Sequence, residues 1–565
     1  MSLATEVALI GLALSLGLAE LARRRRTPGL VAFWVAVAGL VGYLVGGWWL
    51  VVPLAGGLGW VAWWRGQHRS AQSIVARWHA RNDKHAGMAS RWELWRHHSP
   101  LVMRRKATVL RPSFATMSRW ERWSTPVTQY ALPIARVGLT TTVWVPIEET
   151  ICQYGRPRRG KTAQLIHWVC DSPGFTLTTS TKRDLYDITE PVRAEMGPTL
   201  LFNPTALGDL PTTLGFDPLL WCQFPQHAEE RAVDLISGGV GGRSEGEGRR
   251  WDEQAQRVLA ALLHAAAIGE LAALDVLRWV ASPDEHKPLV MGLLRESPAA
   301  VAYLPSAEQF FATNSRTRSS VTFTIMPALA WLTNPHALAA TRAATPFEVR
   351  ELLRERATIY LLGRSETRIA PLLSALTGYF AREARRYAAT FPAGRLDPPG
   401  RLVLDEAAAI CPVPLDEWFQ DFGSQGLTLI ATFQSLAQVR QRWGWDGAKA
   451  IRNNTGTTIL HAYGSDEQDL AAWSALSGQV MRDGRPQQVL TLPQLMTIPR
   501  GSMAVWPGET AVTMGRMSPG WKRPDVQAAA KRRGLALAAV VEGMENELAT
   551  QAVGLSDLPV VGGSK

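Results

Sequence analysis

The sequence predicts an α/β protein in which a doubly wound, mostly parallel β-sheet is interrupted by an all-α insertion and preceded by an N-terminal transmembrane helical hairpin. Three observations lead to this prediction. Short strand-like runs alternate with helical patterns between residues 141 and 462, which is typical of parallel sheets with helices on both faces. Residues 251–344 are rich in Ala and Leu at helical spacing, and residues 29–64 contain no charged side chain.

Length and charge exclude several classes of protein. A chain of 565 residues is too long for one ordinary domain, and 46% hydrophobic against 19% charged residues excludes overall disorder. The net charge of +11 is uneven, because residues 65–125 hold 13 Lys or Arg and three acids while residues 126–565 hold 43 cations and 44 anions. The sequence therefore does not describe a nucleic-acid-binding protein that is basic throughout.

The uncharged stretch of residues 29–64 has the length of a membrane hairpin. As one helix it would be about 54 Å long, whereas the hydrocarbon core of a bilayer is about 30 Å thick. A break is available at Gly46 and Gly47, and arginines precede and follow the stretch, so that both ends are expected in the cytoplasm. Residues 7–22 form a third, marginal span or an interfacial helix. A buried core hairpin is the alternative for the whole region.

The basic segment that follows is also rich in tryptophan. Eleven of the 23 Trp residues lie within residues 1–125, interleaved with Arg. This composition favours an interfacial collar on anionic lipid. Stacking on nucleic-acid bases is the alternative.

Residues 155–162, with the sequence GRPRRGKT, fit the phosphate-binding pattern G-x-x-x-x-G-K-[ST]. The glycines allow backbone N–H groups to surround phosphates, Lys161 neutralises the terminal phosphates, and Thr162 offers a hydroxyl to Mg²⁺. The context agrees, because residues 141–146 and 150–154 are strand-like and residues 162–170 have a helical pattern. The segment predicts an ATP site with Mg²⁺.

A pair of acids supplies the second half of this predicted site. Asp405 and Glu406 follow the apolar run Leu402-Val403-Leu404, and so lie at the carboxyl end of a buried strand, where the sites of α/β proteins are found. Asp405 would hold Mg²⁺ directly or through water, and Glu406 would polarise the attacking water. A capped helix start has the same sequence pattern and is the alternative for this pair taken alone.

A third strand, residues 427–432, is followed by Gln434. A polar side chain at the end of the neighbouring strand can sense the terminal phosphate and orient water. A loop glutamine with no such role is the alternative.

These assignments divide the chain into six parts. They are a membrane region at 1–64, a basic juxtamembrane segment at 65–135, the first part of a nucleotide-binding domain at 136–250, an all-α insertion domain at 251–345, the second part of the nucleotide-binding domain at 346–520, and a C-terminal helix with a flexible tail at 521–565.

With these motifs placed, most of residues 65–520 resembles the TraG/TraD-type coupling proteins of type IV secretion systems. The resemblance depends on several segments together: GRPRRGKT at 155–162, TTSTKRDLYDIT at 178–189, WDEQAQRVLAALLHAAA from residue 251, RLVLDEAA at 401–408 and ATFQSLAQ at 431–438. The phosphate-binding segment alone would not be specific.

The resemblance implies a RecA-like P-loop ATPase with an all-α insertion, assembled as a homo-hexamer in the bacterial inner membrane as a multi-pass protein with its ATPase domain in the cytoplasm. The implied partners are single-stranded DNA with its relaxase, the components of the secretion channel, and the membrane. The implied cofactors are ATP and Mg²⁺. The site residues carried over are Lys161, Glu406 and Gln434 for catalysis, Gly155, Arg158, Arg159, Gly160, Lys161 and Thr162 for nucleotide binding, and Thr162 and Asp405 for the metal.

One position departs from the family's pattern. Related chains often have an arginine just before the glycine that matches Gly426, proposed to act on the ATP of a neighbouring subunit, and here that residue is Gln425. Either a nearby arginine (Arg440, Arg442 or Arg452) substitutes for it, or hydrolysis is weak, since such an arginine contributes orders of magnitude in rate.

Three functions are therefore compared. The first is a motor that uses ATP to transfer a DNA or relaxase–DNA substrate. The second is a substrate receptor that binds nucleotide with little hydrolysis, which the departure at Gln425 motivates. The third, an FtsK-type translocase of double-stranded DNA, is ranked below them because residues 520–565 are too few for an additional C-terminal domain.

Overall fold

The computed structural model describes residues 87–138, 140–239, 247–342, 347–364, 368–391, 393–482 and 484–535. The predicted hairpin at residues 29–64, the predicted segment at residues 7–22 and the predicted tail after residue 535 lie outside the described residues. From Met88 onward, the described residues belong to one unit.

The described residues contain short strands of four to seven residues. These are β1 (Ala131–Val137), β2 (Thr141–Pro146), β3 (Ile151–Tyr154), β4 (Thr176–Ser180), β5 (Thr199–Phe202), β6 (Thr358–Leu362), β7 (Gly400–Leu404), β8 (Leu427–Phe433), β9 (Thr457–Leu460), β10 (Gln479–Arg482), β11 (Arg485–Gln488), β12 (Ser502–Trp506) and β13 (Thr513–Arg516).

The helices lie between these strands and in one long helical region. They are α1 (Arg91–His98), α2 (Pro100–Leu110), α3 (Arg119–Ser124), α4 (Lys161–Cys170), α5 (Asp184–Arg193), α6 (Pro225–Gly238), α7 (Glu247–Ile268), α8 (Ala273–Ala281), α9 (Pro283–Glu296), α10 (Leu304–Ala312), α11 (Ser315–Ala328), α12 (Pro335–Arg342), α13 (Val349–Arg354), α14 (Ala370–Ala388), α15 (Ala407–Ile410), α16 (Leu415–Asp421), α17 (Leu436–Asn453), α18 (Glu467–Leu476), α19 (Leu492–Met496) and α20 (Pro524–Arg532).

Eleven of the described strands form one mixed sheet in the order β2-β1-β13-β12-β9-β3-β8-β7-β4-β6-β5. The seven strands from β9 to β5 are mutually parallel, and the four from β2 to β12 pair antiparallel. The carboxyl ends of β3, β7 and β8 therefore meet at one edge of the sheet. This confirms the prediction of a mixed α/β fold with a large, mostly parallel sheet.

Both faces of the sheet are covered, and the strand sequences show why. In β7, Leu402 and Leu404 belong to one hydrophobic cluster while Val403 belongs to another. In β8, Leu429 and Ile430 are divided in the same way. Because side chains alternate between the faces of a strand, each face carries its own core. The first cluster includes residues of α6, α7 and α14, and the second includes residues of α4, α5 and α20.

The helical region lies where the all-α insertion was predicted. Its described helices, α7 to α12, pack mainly on one another, and α6 connects them with the sheet side through α14. The buried Asp234 of α6 accepts two hydrogen bonds from Arg382 of α14, at 2.5 and 2.8 Å. This paired geometry satisfies a charge that would be costly to bury alone. The exact domain boundaries stay predictions.

The predicted localisation, a multi-pass protein of the inner membrane, is contradicted. No helix in the part of the chain that the structure describes is both long enough and apolar enough to cross a bilayer. The physical reason is visible in the two longest described helices. Both α7 and α14 carry several charged residues along their length, and their apolar faces are already packed in the protein core.

The described part of the predicted basic collar is helical and exposes its tryptophans. Trp92, Trp95, Trp120 and Trp123 on α1 and α3 are each at least half exposed. The guanidinium carbon of Arg104 lies 4.3 Å from the ring centroid of Trp123, a cation–π contact. The choice between lipid and nucleic-acid contact was made from the sequence and stays untested.

Candidate nucleotide-binding site

The phosphate-binding segment joins β3 to α4 at the carboxyl edge of the parallel strands. Its first residues are fixed to both neighbouring strands, because Gly155 N donates to Phe433 O at 3.2 Å and Arg156 N donates to Ala462 O at 3.1 Å. Lys161 begins α4, so the loop opens towards the amino terminus of a helix. That terminus carries unpaired N–H groups and positive potential, which suit an anion.

Two glycines of the loop have backbone conformations that other residues rarely adopt. Gly160 has a φ of +104° with nothing near its missing side chain, and Gly155 has a φ of +150°. A Cβ on Gly155 would also lie 2.7 Å from Cβ of His461, closer than real Cβ contacts. Gly155 is therefore required both by its conformation and by the close approach of His461.

The side chain of Lys161 folds back onto the phosphate-binding loop. Its side chain is buried, and Nζ donates to Gly155 O at 2.5 Å and to Arg156 O at 3.4 Å. Burial lowers the pKa of Lys161, while Asp405 and Glu406 raise it. The ammonium group is thus held by carbonyl oxygens where phosphate oxygens could replace them.

The two acids lie opposite Lys161, and the neighbouring strands hold them in place. Thr432 of β8 donates from Oγ1 to Asp405 Oδ1 at 2.6 Å and accepts from Glu406 N at 2.9 Å. Thr179 of β4 donates to Asp405 O at 3.0 Å. Glu406 has a φ of +50°, a left-handed backbone conformation. The chain therefore leaves the direction of β7 at this residue.

The oxygen donors of the site fit a magnesium ion. Thr162 and Asp405 both line the cavity, and hydroxyl and carboxylate oxygens are the ligands that Mg²⁺ prefers. Among the described residues, no group of three or more His, Cys, Asp or Glu could hold a metal. A Mg²⁺ bound through one or two protein oxygens together with phosphates and water would need only Thr162 and Asp405 from the protein. Burial raises the pKa of Asp405 to about 6.

Gln434 contacts the acid that was predicted to act on water. Its Nε2 lies 3.1 and 3.0 Å from the two carboxylate oxygens of Glu406, and its backbone N donates to Gln438 Oε1 at 3.1 Å. One amide nitrogen therefore lies between both oxygens of the carboxylate and fixes its orientation.

These residues surround a cavity of about 750 Å³. Arg158, Arg159, Gly160, Lys161, Thr162, Asp405 and Glu406 line it. Gly155 forms the base of the loop behind the cavity, and Gln434 reaches the site through Glu406. The structure thus brings together all of the site residues that were predicted from the sequence.

A C-terminal segment that the sequence analysis did not assign to the site forms one wall of the cavity. Ser518, Pro519 and Trp521 line it. His167 of α4 lies with Nε2 2.8 Å from Ser518 O, and Arg523 donates to Asp171 Oδ1 at 2.7 Å. The segment therefore runs across α4 and is fixed to it on both sides of the cavity wall.

Three further polar residues were also missed. Gln153 of β3, Gln164 of α4 and His461 after β9 form one buried network beside the loop. A buried glutamine within a strand and a histidine at a strand end are unusual, and that was the available signal. Their pairing joins residues far apart in sequence.

Gln425 lies just before the amino-terminal end of β8, at the opposite edge of the sheet, and the side chain of Arg385 contacts it. Arg385 Nε donates to Gln425 Oε1 at 3.0 Å, and the Arg385 side chain is 37% exposed. Two of the arginines that were considered as substitutes have partners within the chain. Arg440 pairs with Asp469 at 2.7 Å, and Arg442 donates to Ala408 O at 3.0 Å.

Comparison with known proteins identifies chains that are similar to this one. Residues 399–487 match the family model described as the TraM recognition site of TraD and TraG. The resemblance to TraG/TraD-type coupling proteins is confirmed. The matched residues run from β7 to β11 and include Asp405, Glu406 and Gln434.

Solved structures of the conjugative coupling protein TrwB have a similar fold. An unbound form of TrwBdeltaN70 is 16% identical, with a TM-score of 0.52, over 66% of this chain and 86% of that one. TrwB with the GTP analogue GDPNP is 15% identical, with a TM-score of 0.52, over 70% and 92% of the two chains. TrwB with ADP and Mg²⁺ is also 15% identical, with a TM-score of 0.52, over 69% and 90%.

At this identity the likeness establishes the fold and not the activity. A search of curated protein sequences found no significant match.

Proposed function

We propose that this chain is an ATP-hydrolysing coupling protein, which recruits a DNA or relaxase–DNA substrate and drives its transfer through a type IV secretion system during conjugation. The observation that carries the proposal is the cavity in which Lys161, Thr162, Asp405 and Glu406 converge beside a glycine loop. TrwB structures that contain nucleotides, including one with ADP and Mg²⁺, support the assignment of the ligand.

In the proposed site the loop and Lys161 bind the phosphates. The backbone of residues 155–160 and the amino terminus of α4 supply N–H donors. Lys161 exchanges the carbonyl oxygens of Gly155 and Arg156 for phosphate oxygens. Arg158 and Arg159, which line the cavity, add positive charge. Mg²⁺, held through Thr162 and Asp405, would neutralise charge that develops on the phosphates.

Glu406 is the proposed base that orients and polarises the attacking water. The amide of Gln434 donates to both oxygens of the Glu406 carboxylate and so fixes its orientation. Gln434, at the end of the neighbouring strand, is the proposed sensor of the terminal phosphate and helps to orient the same water.

The coupling role adds partners to this chemistry. The match to a TraM recognition site supports contact with the complex that processes DNA for transfer. A RecA-like ring of six subunits is proposed from the family resemblance, and DNA would then contact local patches, since residues 126–565 are nearly neutral.

The test is the ATP hydrolysis rate of the full chain with no DNA, with single-stranded DNA and with double-stranded DNA. We expect hydrolysis that DNA stimulates, and we expect Lys161→Ala to abolish nucleotide binding as well as hydrolysis. Lys449→Ala is the matched control, because Lys449 is exposed on α17 and pairs only with Asp446, at 3.7 Å, among the ion pairs of the described residues.

DNA-independent hydrolysis at an unchanged rate would contradict a transfer motor. Unchanged ATP binding in Lys161→Ala would show that the cavity is not the nucleotide site.

A second candidate function is a substrate receptor that binds nucleotide but turns it over slowly. Gln425 in place of an arginine favours it. Tight ATP binding without measurable turnover, in an assembled oligomer with DNA present, would support the receptor and exclude the motor.

A further inference from the structure

We infer that His461 is a phosphate-binding residue, which donates its Nδ1–H to a phosphate oxygen of the bound nucleoside triphosphate. The inference rests on the nucleotide site proposed above and adds a contact that no motif of the chain contains. Its basis is a chain of hydrogen bonds that fixes which nitrogen of His461 carries the proton.

The chain of hydrogen bonds starts at a group with only one possible role. Ile134 O, a backbone carbonyl of β1, can only accept, so the atom of Gln164 that lies 2.9 Å from it is the amide nitrogen. The other amide atom, Gln164 Oε1, must then accept. It lies 2.8 Å from Gln153 Nε2, which fixes the orientation of the second amide as well.

This orientation places a donor against the imidazole ring. Gln153 Nε2 has a second hydrogen, and it lies 2.7 Å from His461 Nε2. His461 Nε2 must therefore accept, and the ring proton of the neutral side chain is on Nδ1.

The ring remains neutral in this position. Burial, together with the charge of Lys161, lowers the pKa of His461 to about 3. A neutral ring next to Lys161 donates a hydrogen bond without adding a second positive charge.

The Nδ1–H group has no acceptor among the residues that the structure describes. His461 is 2% exposed, and Nδ1 is buried without a hydrogen-bond partner. A buried donor left unpaired is costly. Because His461 lines the cavity with Lys161 and Thr162, an anion in the cavity can supply the missing acceptor. The close packing of His461 on Gly155 brings the ring to the base of the phosphate loop.

Two substitutions separate the donor from the rest of the ring. His461→Asn keeps an amide nitrogen near the position of Nδ1 and loses the group near Nε2. His461→Gln keeps a polar group near Nε2 and loses the donor near Nδ1. Both variants remove the aromatic ring, so a purely structural role predicts similar losses in both.

The measurement is the Kd of the full chain for a fluorescent ATP analogue, with unfolding temperatures to verify folding. We expect His461→Gln to weaken binding about tenfold or more, as for a lost hydrogen bond to a charged group, and His461→Asn to remain within about threefold of wild type. His336→Gln, on the exposed side of α12, is the control and should bind as wild type does. Wild-type binding by both variants, or equal losses in both, would overturn the inference.

If neither variant folds, ¹⁵N-histidine spectra of the wild-type chain provide the answer. A neutral ring protonated at Nδ1, whose signal shifts when the nucleotide analogue is added, supports the inference, and the absence of such a shift overturns it. Lys161→Ala distinguishes a failure of the His461 inference from a failure of the proposed nucleotide site. If that variant still binds nucleotide, the proposed site itself is wrong, whatever His461 does.

Discussion

Two cavities lie at opposite ends of the central strands β3 and β9, and each contains a carboxyl group with a raised pKa. At the carboxyl edge, burial raises the pKa of Asp405 to about 6. At the amino edge, a cavity of about 180 Å³ is lined by Glu149, whose pKa burial raises to about 7. Each carboxylate accepts a hydrogen bond from a threonine, Thr432 at 2.6 Å and Thr457 at 3.2 Å.

Each cavity also has a buried histidine with one ring nitrogen that has no hydrogen-bond partner in the described part of the chain, but the two nitrogens differ in kind. His98 Nδ1 lies 3.2 Å from Trp144 O, so Nδ1 donates and the unpartnered Nε2 carries a lone pair. At His461 the unpartnered atom is the donor Nδ1. The unpartnered nitrogen of the amino-edge histidine is therefore an acceptor, whereas that of the carboxyl-edge histidine is a donor and lies in a cavity that also contains Lys161 and a glycine loop.

The comparison shows that a perturbed carboxyl group does not by itself identify a nucleotide site. What distinguishes the carboxyl edge is the combination of backbone N–H groups, a lysine and space for phosphates next to the carboxylates. The following predictions test whether the chemistry is confined to that edge.

The largest difference is expected in the rate of hydrolysis. Glu406→Gln should lower the rate at least about hundredfold while ATP is still bound, because a general base contributes about 10²–10⁴ in rate. Glu149→Gln, the matched change at the amino edge, should leave the rate within about twofold, although its carboxyl group has the higher pKa. Steady-state ATP hydrolysis and the Kd for ATP measure both effects. Equal losses of hydrolysis in the two variants would show that the chemistry is not confined to the carboxyl edge.

A smaller effect is expected in the pH dependence of Mg²⁺-dependent nucleotide binding. A metal ligand must be deprotonated, and Asp405 has a pKa of about 6. Affinity should therefore fall as the pH drops through 6, by about tenfold for the next unit. Titrations of the nucleotide between pH 8 and pH 5 measure this fall. In Asp405→Asn, Mg²⁺ should add little affinity at any pH, and a dependence that persists in this variant would assign the titration to another group.

A third effect on the hydrolysis rate tests whether residues at the amino edge act on the ATP of a neighbouring subunit. Arg385 donates a hydrogen bond to Gln425 and could take the role of the arginine that related chains have at that position. In that case Arg385→Ala should slow hydrolysis about fivefold or more without changing ATP affinity. Gln425→Arg should raise the rate. Arg278→Ala, an exposed arginine paired with Asp275 within α8, is the control. Rates that do not change in the first two variants would leave the receptor function favoured.

The smallest effect is on stability alone. The pKa of Glu149 is raised from 4.5 to about 7, so the folded protein binds the proton more tightly than the unfolded chain does. The stability associated with that proton is present below pH 4.5 and is lost as the pH rises through 7. Glu149→Gln should therefore raise the unfolding temperature by a few degrees at pH 8 and leave it unchanged at pH 4. A shift of equal size at both values would exclude titration as the cause.

The elements that the sequence identifies are those with a local pattern. The strands at Thr141–Pro146 and Thr199–Phe202 lie where they were predicted, because alternating or continuous apolar runs suffice to indicate them. The phosphate loop and the acidic pair were predicted for the same reason, since spacing within a few residues specifies their chemistry.

The parts that were missed depend on tertiary contacts. Gln153 and His461 are separated by 308 positions, and nothing near either residue indicates the other. Thr432 is one threonine among several in strands, and its role arises only because β8 lies beside β7 in the sheet. The antiparallel strands and the C-terminal wall of the site follow from how the chain returns to the sheet, which local patterns do not specify.

The C-terminal wall has a practical consequence for work on this protein. Gly520 packs so closely on α4 that a Cβ would lie 2.4 Å from Cβ of Ile166, and Arg523 fixes the same segment to Asp171. A truncated chain that ends before Met517 would retain every motif of the nucleotide site and yet lack one side of it. Inhibitor screens and affinity measurements should therefore use chains that extend at least through α20, because shorter ones would present a different binding cavity.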